Sequence, residues 1–193
     1  MFLLFLLLAI ISFRVVKRLT RRLPLSLWKR PKILVVLGSG GHTAEMISLV
    51  QALGGSASFV FVAAASDVSS EGKVHAVLGD VEILRIRRSR EVGQSFQTSI
   101  FTTFLAMIDC IILVLQIQPD AVLVNGPGTC VPVCLAAILV EFFSSQLIGI
   151  FFVESFCRVK TLSLTGKLLR PIADEFFVFW PDLARKYSAT LLE

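Results

Sequence analysis

Twice in this chain a short apolar run breaks into a glycine-bearing turn and then into a helical pattern. KILVVL runs into Gly38, Ser39, Gly40, Gly41, His42 and Thr43, and AVLV runs into Asn125, Gly126, Pro127, Gly128 and Thr129. A continuous apolar run marks a strand buried on both faces, and a helix between such strands is the crossover that parallel pairing requires. The alternation predicts strands over 32–37, 58–63, 81–86, 121–124, 147–153 and 175–179, with helices over 42–53, 95–117, 130–141 and 161–170. The fold class is therefore α/β: a Rossmann-like parallel sheet with helices on both faces.

Ligands of an open parallel sheet bind beyond the carboxyl ends of its strands, where loops enter helices. Both glycine loops belong there, and two on one sheet edge imply a shared cleft. Glycines permit close backbone approach, and free N–H groups at a helix start favour an anion such as a diphosphate. The first loop lacks the lysine of a Walker motif, and Thr43 stands where a dinucleotide fingerprint needs its third glycine. Asp67 comes too late to hold a ribose, so a nicotinamide enzyme fits poorly.

Three further features sit at strand ends. Glu154 and Ser155 follow IGIFFV, and a carboxylate there can hold a sugar hydroxyl, act as a base or cap the next segment. Arg85, Arg87, Arg88 and Arg90 can grip phosphate oxygens or form a solvated or headgroup-facing surface. His42, at a helix start, can serve as base or as an uncharged hydrogen-bond partner for its loop. His42 and Glu154 are the candidate catalytic residues. Gly38, Ser39, Gly40, Gly41, His42, Thr43, Arg88, Arg90, Asn125, Gly126, Gly128, Thr129 and Ser155 are the candidate ligand-binding set.

Hydrophobic residues make up 55% of the chain, with mean hydropathy +0.79. Soluble domains hold roughly 45–50% apolar residues, so some apolar surface is expected to meet lipid or a partner. The leader MFLLFLLLAIISF has no charge before it and a dense cationic run after it, the reverse of a cleaved signal. Residues 1–16 are expected to anchor the chain in a membrane, 17–31 to form a basic juxtamembrane linker, and 32–193 to form the folded domain, on the cytosolic side by the positive-inside rule. Because the basic excess sits beside the leader rather than across the domain, a nucleic-acid partner is excluded. Asp109 interrupts the apolar stretch 100–118, which reads as a helix packed on the sheet rather than a second span. Cys110, Cys130, Cys134 and Cys157 form no CxxC pair and read as buried thiols, and no metal spacing occurs.

Four ordered blocks go further than spacing: GSGGHTAEM, RSREVGQS at 88–95, NGPGTCVP at 125–132 and VESFCRVKTLSLTGKLLRPIADEFFVFWPDL at 153–183. Together they resemble the membrane-anchored subunit of the UDP-N-acetylglucosamine transferase of asparagine-linked glycosylation, over about Lys32 to Tyr187. Members of that family look like the N-terminal, acceptor-side half of a two-domain GT-B glycosyltransferase such as MurG. The resemblance implies a soluble donor-binding subunit as partner, dolichyl-diphosphate-GlcNAc as acceptor, and attachment to the endoplasmic reticulum membrane. It implies no metal and no other cofactor. The family continues past its Trp-Pro block with Lys-Tyr-Pro and an aromatic tail, whereas this chain reads KYSATLLE. A membrane scaffold that recruits an enzyme without holding substrate is the alternative.

Overall fold

The computed structural model describes residues 9, 12–13, 16, 30–88, 96–144 and 146–192, with backbone alone over 96–101. Their strands form one seven-stranded, wholly parallel sheet in the order β3-β2-β1-β4-β5-β6-β7. The strands are β1 Lys32–Val36, β2 Ser58–Ala64, β3 Ile83–Ile86, β4 Ala121–Val124, β5 Gly149–Val153, β6 Glu175–Val178 and β7 Thr190–Leu191. The helices are α1 Gly41–Leu53, α2 Val68–Leu78, α3 Phe96–Ile117, α4 Cys130–Phe143, α5 Leu164–Leu169 and α6 Pro181–Tyr187.

Strand alternation divides the interior into two layers. Leu34 and Val36 of β1 face a core built with Cys110 and Val114 of α3, Val133 and Ala137 of α4 and Leu169 of α5. Ile33, Val35 and Leu37 face the opposite core, with Met46, Ile47 and Val50 of α1 and Val74 of α2. Helices thus cover both faces, as the unbroken apolar strands require. All six expected strands and four expected helices are present; α2, α6 and β7 are additions.

The order of strands reverses between β1 and β4, whose crossovers leave in opposite directions along the sheet. Such a switch point opens a crevice at the carboxyl edge. Both glycine loops flank it.

α3 lies on the sheet through Ala106, Cys110 and Val114, all buried. Its Asp109 accepts from the Arg87 backbone N–H at 3.3 Å and meets the Arg87 guanidinium at 3.4 Å. The opposite side carries an exposed stripe of Phe104, Ile108, Ile112 and Leu115. At the end of α4, the ring of Phe13 packs edge-on against Phe142 with centroids 5.1 Å apart. Among the described residues no helix is long and apolar enough to cross a membrane. The expected anchor, 1–16, lies outside the described residues except at 9, 12–13 and 16, and so does the linker except at 30–31.

Candidate functional site

β1 and β4 are neighbours in register, Val35 opposite Leu123, so the loops after them emerge side by side. Their contact depends on glycine at Gly38, where a Cβ would overlap the ring of Pro127. The second loop turns at Gly126 with φ +84°, and a Cβ there would come within 2.9 Å of Cε1 of His42. The imidazole therefore rests against the bare backbone of the other loop. Neither α1 nor α4 has a side-chain cap or an acidic residue in its first turn, so each positive end is left without a carboxylate of its own.

Two cavities open at this edge, and His42 belongs to both walls. The smaller, about 140 Å³, is bounded by Gly38, Ser39, Asp67, Arg88, Gly128 and Thr129. The larger, about 550 Å³, is bounded by Gly41, Glu45, Gly126, Ser155, Cys157 and Arg158 among others. Arg88 also donates to the Ser66 hydroxyl at 3.3 Å. Arg85 is engaged with Glu71 and Arg87 with Asp109, so among the described arginines of that cluster Arg88 alone faces the cleft. Arg90 lies outside the described residues.

Other expected ligands turn inward. The hydroxyl of Thr43 is fully buried, bonded to the Gly38 carbonyl and, at 2.6 Å, to the Ser70 hydroxyl, so it braces the loop from behind rather than facing a ligand. Asn125 is also buried; its Nδ2 donates to the His42 carbonyl at 2.8 Å and to Glu45 Oε2 at 3.4 Å, tying the two loops together.

Glu154, expected as base or sugar anchor, is 1% exposed and absent from both cavity walls. Its Oε1 accepts from the Ser155 N–H at 3.0 Å, and its Oε2 from the Ser163 N–H at 2.8 Å and hydroxyl at 3.1 Å. Ser163 in turn caps α5 through the Gly166 N–H at 2.9 Å. Of the three roles open to it, this geometry is that of a brace for the segment leading into α5.

Besides Asp67 on the wall of the smaller cavity, a carboxylate that reaches the cleft is Glu45, on the wall of the larger one, which sequence reasoning passed over. Its Oε2 stands 3.6 Å from Nδ1 of His42, and its Oε1 accepts from the Ser155 hydroxyl at 2.8 Å and the Phe156 N–H at 3.2 Å. The signal was present in GHTAEM: three residues along a helix return a side chain to the same face. Cys110, Cys130 and Cys134 are buried, and burial pushes the thiols of Cys110 and Cys130 up to about 12. Cys157 corrects the expectation of four buried thiols: it is exposed on the rim of the larger cavity.

A one-sheet parallel α/β domain with paired glycine loops at its switch point is a Rossmann-like protein, and solved structures share that fold. MurG of Acinetobacter baumannii superposes with TM-score 0.62 at 18% identity, covering 79% of this chain and 42% of that one. The UDP-GlcNAc 2-epimerase of Neisseria meningitidis gives 0.61 at 17% identity, covering 81% and 43%. The chain spans less than half the length of either protein, and at these identities the likeness is one of fold.

Within that class the chain belongs to the Alg14 family: the family described as "Oligosaccharide biosynthesis protein Alg14 like" matches residues 33–191. Relatives named UDP-N-acetylglucosamine transferase subunit ALG14 include that of Mus musculus, 45% identical over 174 residues, covering 83% of this chain and 80% of the mouse protein. The Homo sapiens protein is 42% identical over 172 residues, covering 82% and 80%. That of Schizosaccharomyces pombe is 42% identical over 166 residues, covering 81% and 79%.

Proposed function

We propose that this chain is the membrane-anchored, acceptor-side subunit of an N-acetylglucosaminyltransferase. It acts with a soluble subunit that binds UDP-GlcNAc, at the cytosolic face of the endoplasmic reticulum membrane, and the pair adds the second GlcNAc to dolichyl-diphosphate-GlcNAc. The observation that carries this reading is the pair of glycine loops at the switch point, with His42 shared between a small, arginine-bearing cavity and a larger one.

The roles divide by chemistry. A diphosphate suits the smaller cavity, where the backbone around Gly38, Ser39, Gly128 and Thr129, the uncapped helix starts and the Arg88 guanidinium all favour negative charge. The acceptor sugar suits the larger cavity, whose wall includes Ser155 and Arg158. His42, between them, is then within reach of the attacking hydroxyl as general base. Glu154 enters only by fixing the segment that presents Ser155. The soluble partner supplies the leaving nucleotide's contacts.

Membrane attachment is supported by the leader's composition, by Phe13, which packs against Phe142 at the end of α4, and by the exposed apolar stripe of α3. An apolar leader and an apolar helix face would together bring the cleft to a lipid-linked substrate.

The test is Gly41→Glu in the assembled complex. A Cβ at Gly41 meets nothing within 4 Å, so the change puts a carboxylate into the cleft without disturbing the fold. Transfer from UDP-GlcNAc to a short-chain polyprenyl-diphosphate-GlcNAc should be abolished while the partner still co-purifies. Transfer at the unaltered rate would make the chain a scaffold that holds no substrate.

A further inference from the structure

We infer that Glu45 is the positioning residue for His42, holding the imidazole with its proton on Nδ1 so that Nε2 is the nitrogen offered to the acceptor. The inference rests on the transferase reading above and adds to it a residue and a tautomer.

The starting observation is an orphan. Nδ1 of His42 is buried and has no hydrogen-bond partner, although the side chain as a whole is 35% exposed. A buried ring nitrogen left unpaired is costly, and the atom nearest in chemistry to satisfying it is Oε2 of Glu45 at 3.6 Å. That is slightly beyond a hydrogen bond, as catalytic contacts often are before substrate closes a site. Gly126 bounds the ring on one side.

Glu45 is built for the task. Its Oε1 is held by the Ser155 hydroxyl and the Phe156 N–H, and its Oε2 is approached by Asn125 Nδ2, so two loops fix the carboxylate in place. Asn125 also grips the carbonyl of His42 itself, which locks the backbone that carries the ring. The neighbouring carboxylates are committed elsewhere: Asp67 to Ser70 at the start of α2, and Glu154 to Ser155 and Ser163. A carboxylate opposite Nδ1–H fixes the tautomer and stabilises the imidazolium that forms when Nε2 takes a proton.

The acceptor hydroxyl oxygen bonds to the anomeric carbon of the nucleotide sugar, the bond from that carbon to the diphosphate oxygen breaks, and the nucleoside diphosphate leaves with the electron pair. The hydroxyl proton passes to Nε2 of His42, and Glu45 meets the resulting charge from the Nδ1 side.

The experiment is a double-mutant cycle in the complex with its soluble partner, comparing the unaltered chain, Glu45→Gln, His42→Ala and the two together. Donor is UDP-GlcNAc and acceptor is a short-chain polyprenyl-diphosphate-GlcNAc at saturation. Glutamine keeps an oxygen for Ser155 and Phe156 while removing the charge opposite Nδ1. Glu45→Gln should lower kcat about 10-fold or more, with acceptor KM changed less than about 2-fold. In the His42→Ala background the same change should cost less than about 2-fold, because its effect passes through the imidazole.

An equal loss in both backgrounds would overturn the inference and make Glu45 a purely structural tie. Unaltered kcat in Glu45→Gln would overturn it as well. Unaltered kcat in His42→Ala would remove the base reading and the positioning residue together, which separates that failure from the first two. Should Glu45→Gln fail to assemble, Glu45→Asp takes its place in the cycle, since its shorter side chain withdraws the carboxylate from Nδ1 by one methylene.

Discussion

The Ser155 hydroxyl donates to Oε1 of Glu45 at 2.8 Å, joining residues 110 apart in sequence across the mouth of the cleft. One residue belongs to α1 and the other follows β5, so the bond forms only when β1, β4 and β5 are paired in register. Ser155→Ala removes it but leaves the Phe156 N–H on the same oxygen. The expected loss is about 1 kcal/mol of stability. In a chain of this size that lowers the thermal midpoint by about 2–4 °C, read by a melting scan in detergent.

Gly38 and Gly41 are three residues apart and should respond oppositely to alanine. At Gly38 the methyl would overlap Pro127 and crowd Cβ of His42 at 2.9 Å, forcing the two loops apart. Overpacking of that kind costs about 1–3 kcal/mol, and the displaced His42 should lower transfer further. At Gly41 the space is open and the residue begins a helix, so alanine should change stability by no more than about 1 kcal/mol, in the favourable direction. Melting scans and transfer assays on both variants would expose any reversal of that order.

Glu154 offers a test of brace against base. Glu154→Ala leaves the Ser155 N–H and the Ser163 N–H and hydroxyl without their acceptor in a buried setting. Each such donor costs about 1–3 kcal/mol, so the melting temperature should drop sharply and recovery of folded protein with it. Glu154→Gln, which keeps an acceptor oxygen, should fold better and retain kcat close to the unaltered value. A folded Glu154→Gln complex with kcat down by about 10²-fold would return this carboxylate to the chemistry.

The sheet was legible because buried parallel strands are unbroken apolar runs; KILVV, AVLV and GIFFV announce themselves, and glycines mark where two of them end. α2 was missed because VSSEGKVHAVL carries a glycine and scattered charges over a weak apolar face, although Asp67 before it is an N-cap signal that its bond to the Ser70 N–H fulfils. β7 is only Thr190–Leu191 and exists by pairing with β6, which no local pattern reveals. His42, Ser39 and Gly128 could be placed from loop position alone. Thr43 and Glu154 could not, since whether a side chain at a strand end points outward or back into the fold depends on partners, here Ser70 and Ser163, brought in by distant elements. Glu45 was missed for the same reason, with two of its three anchors more than 100 residues away.

The buried thiols make the fold sensitive to alkali. Burial lifts Cys110 and Cys130 from an ordinary 9.0 to about 12; the charge of Asp109 adds to the effect at Cys110, while backbone hydrogen bonds oppose it at Cys130. Below pH 9 native and unfolded chains both keep these protons, and the thiols contribute nothing to pH dependence. Between 9 and about 12 the unfolded chain gives them up while the native one retains them, so the native state binds more protons and stability falls as pH rises. Within that window each thiol removes up to about 1.4 kcal/mol per pH unit. Melting temperatures at pH about 8 and about 10 should therefore diverge more for the unaltered chain than for Cys110→Ala/Cys130→Ala. That variant should melt lower at both pH values, because the lost sulfur atoms leave space in the core, yet decline less steeply between them. Equal slopes would mean that the two thiols do not couple folding to alkali. Maleimide at pH about 8 supplies the companion reading, since exposed Cys157 should react in the folded chain while Cys110, Cys130 and Cys134 react only after denaturation.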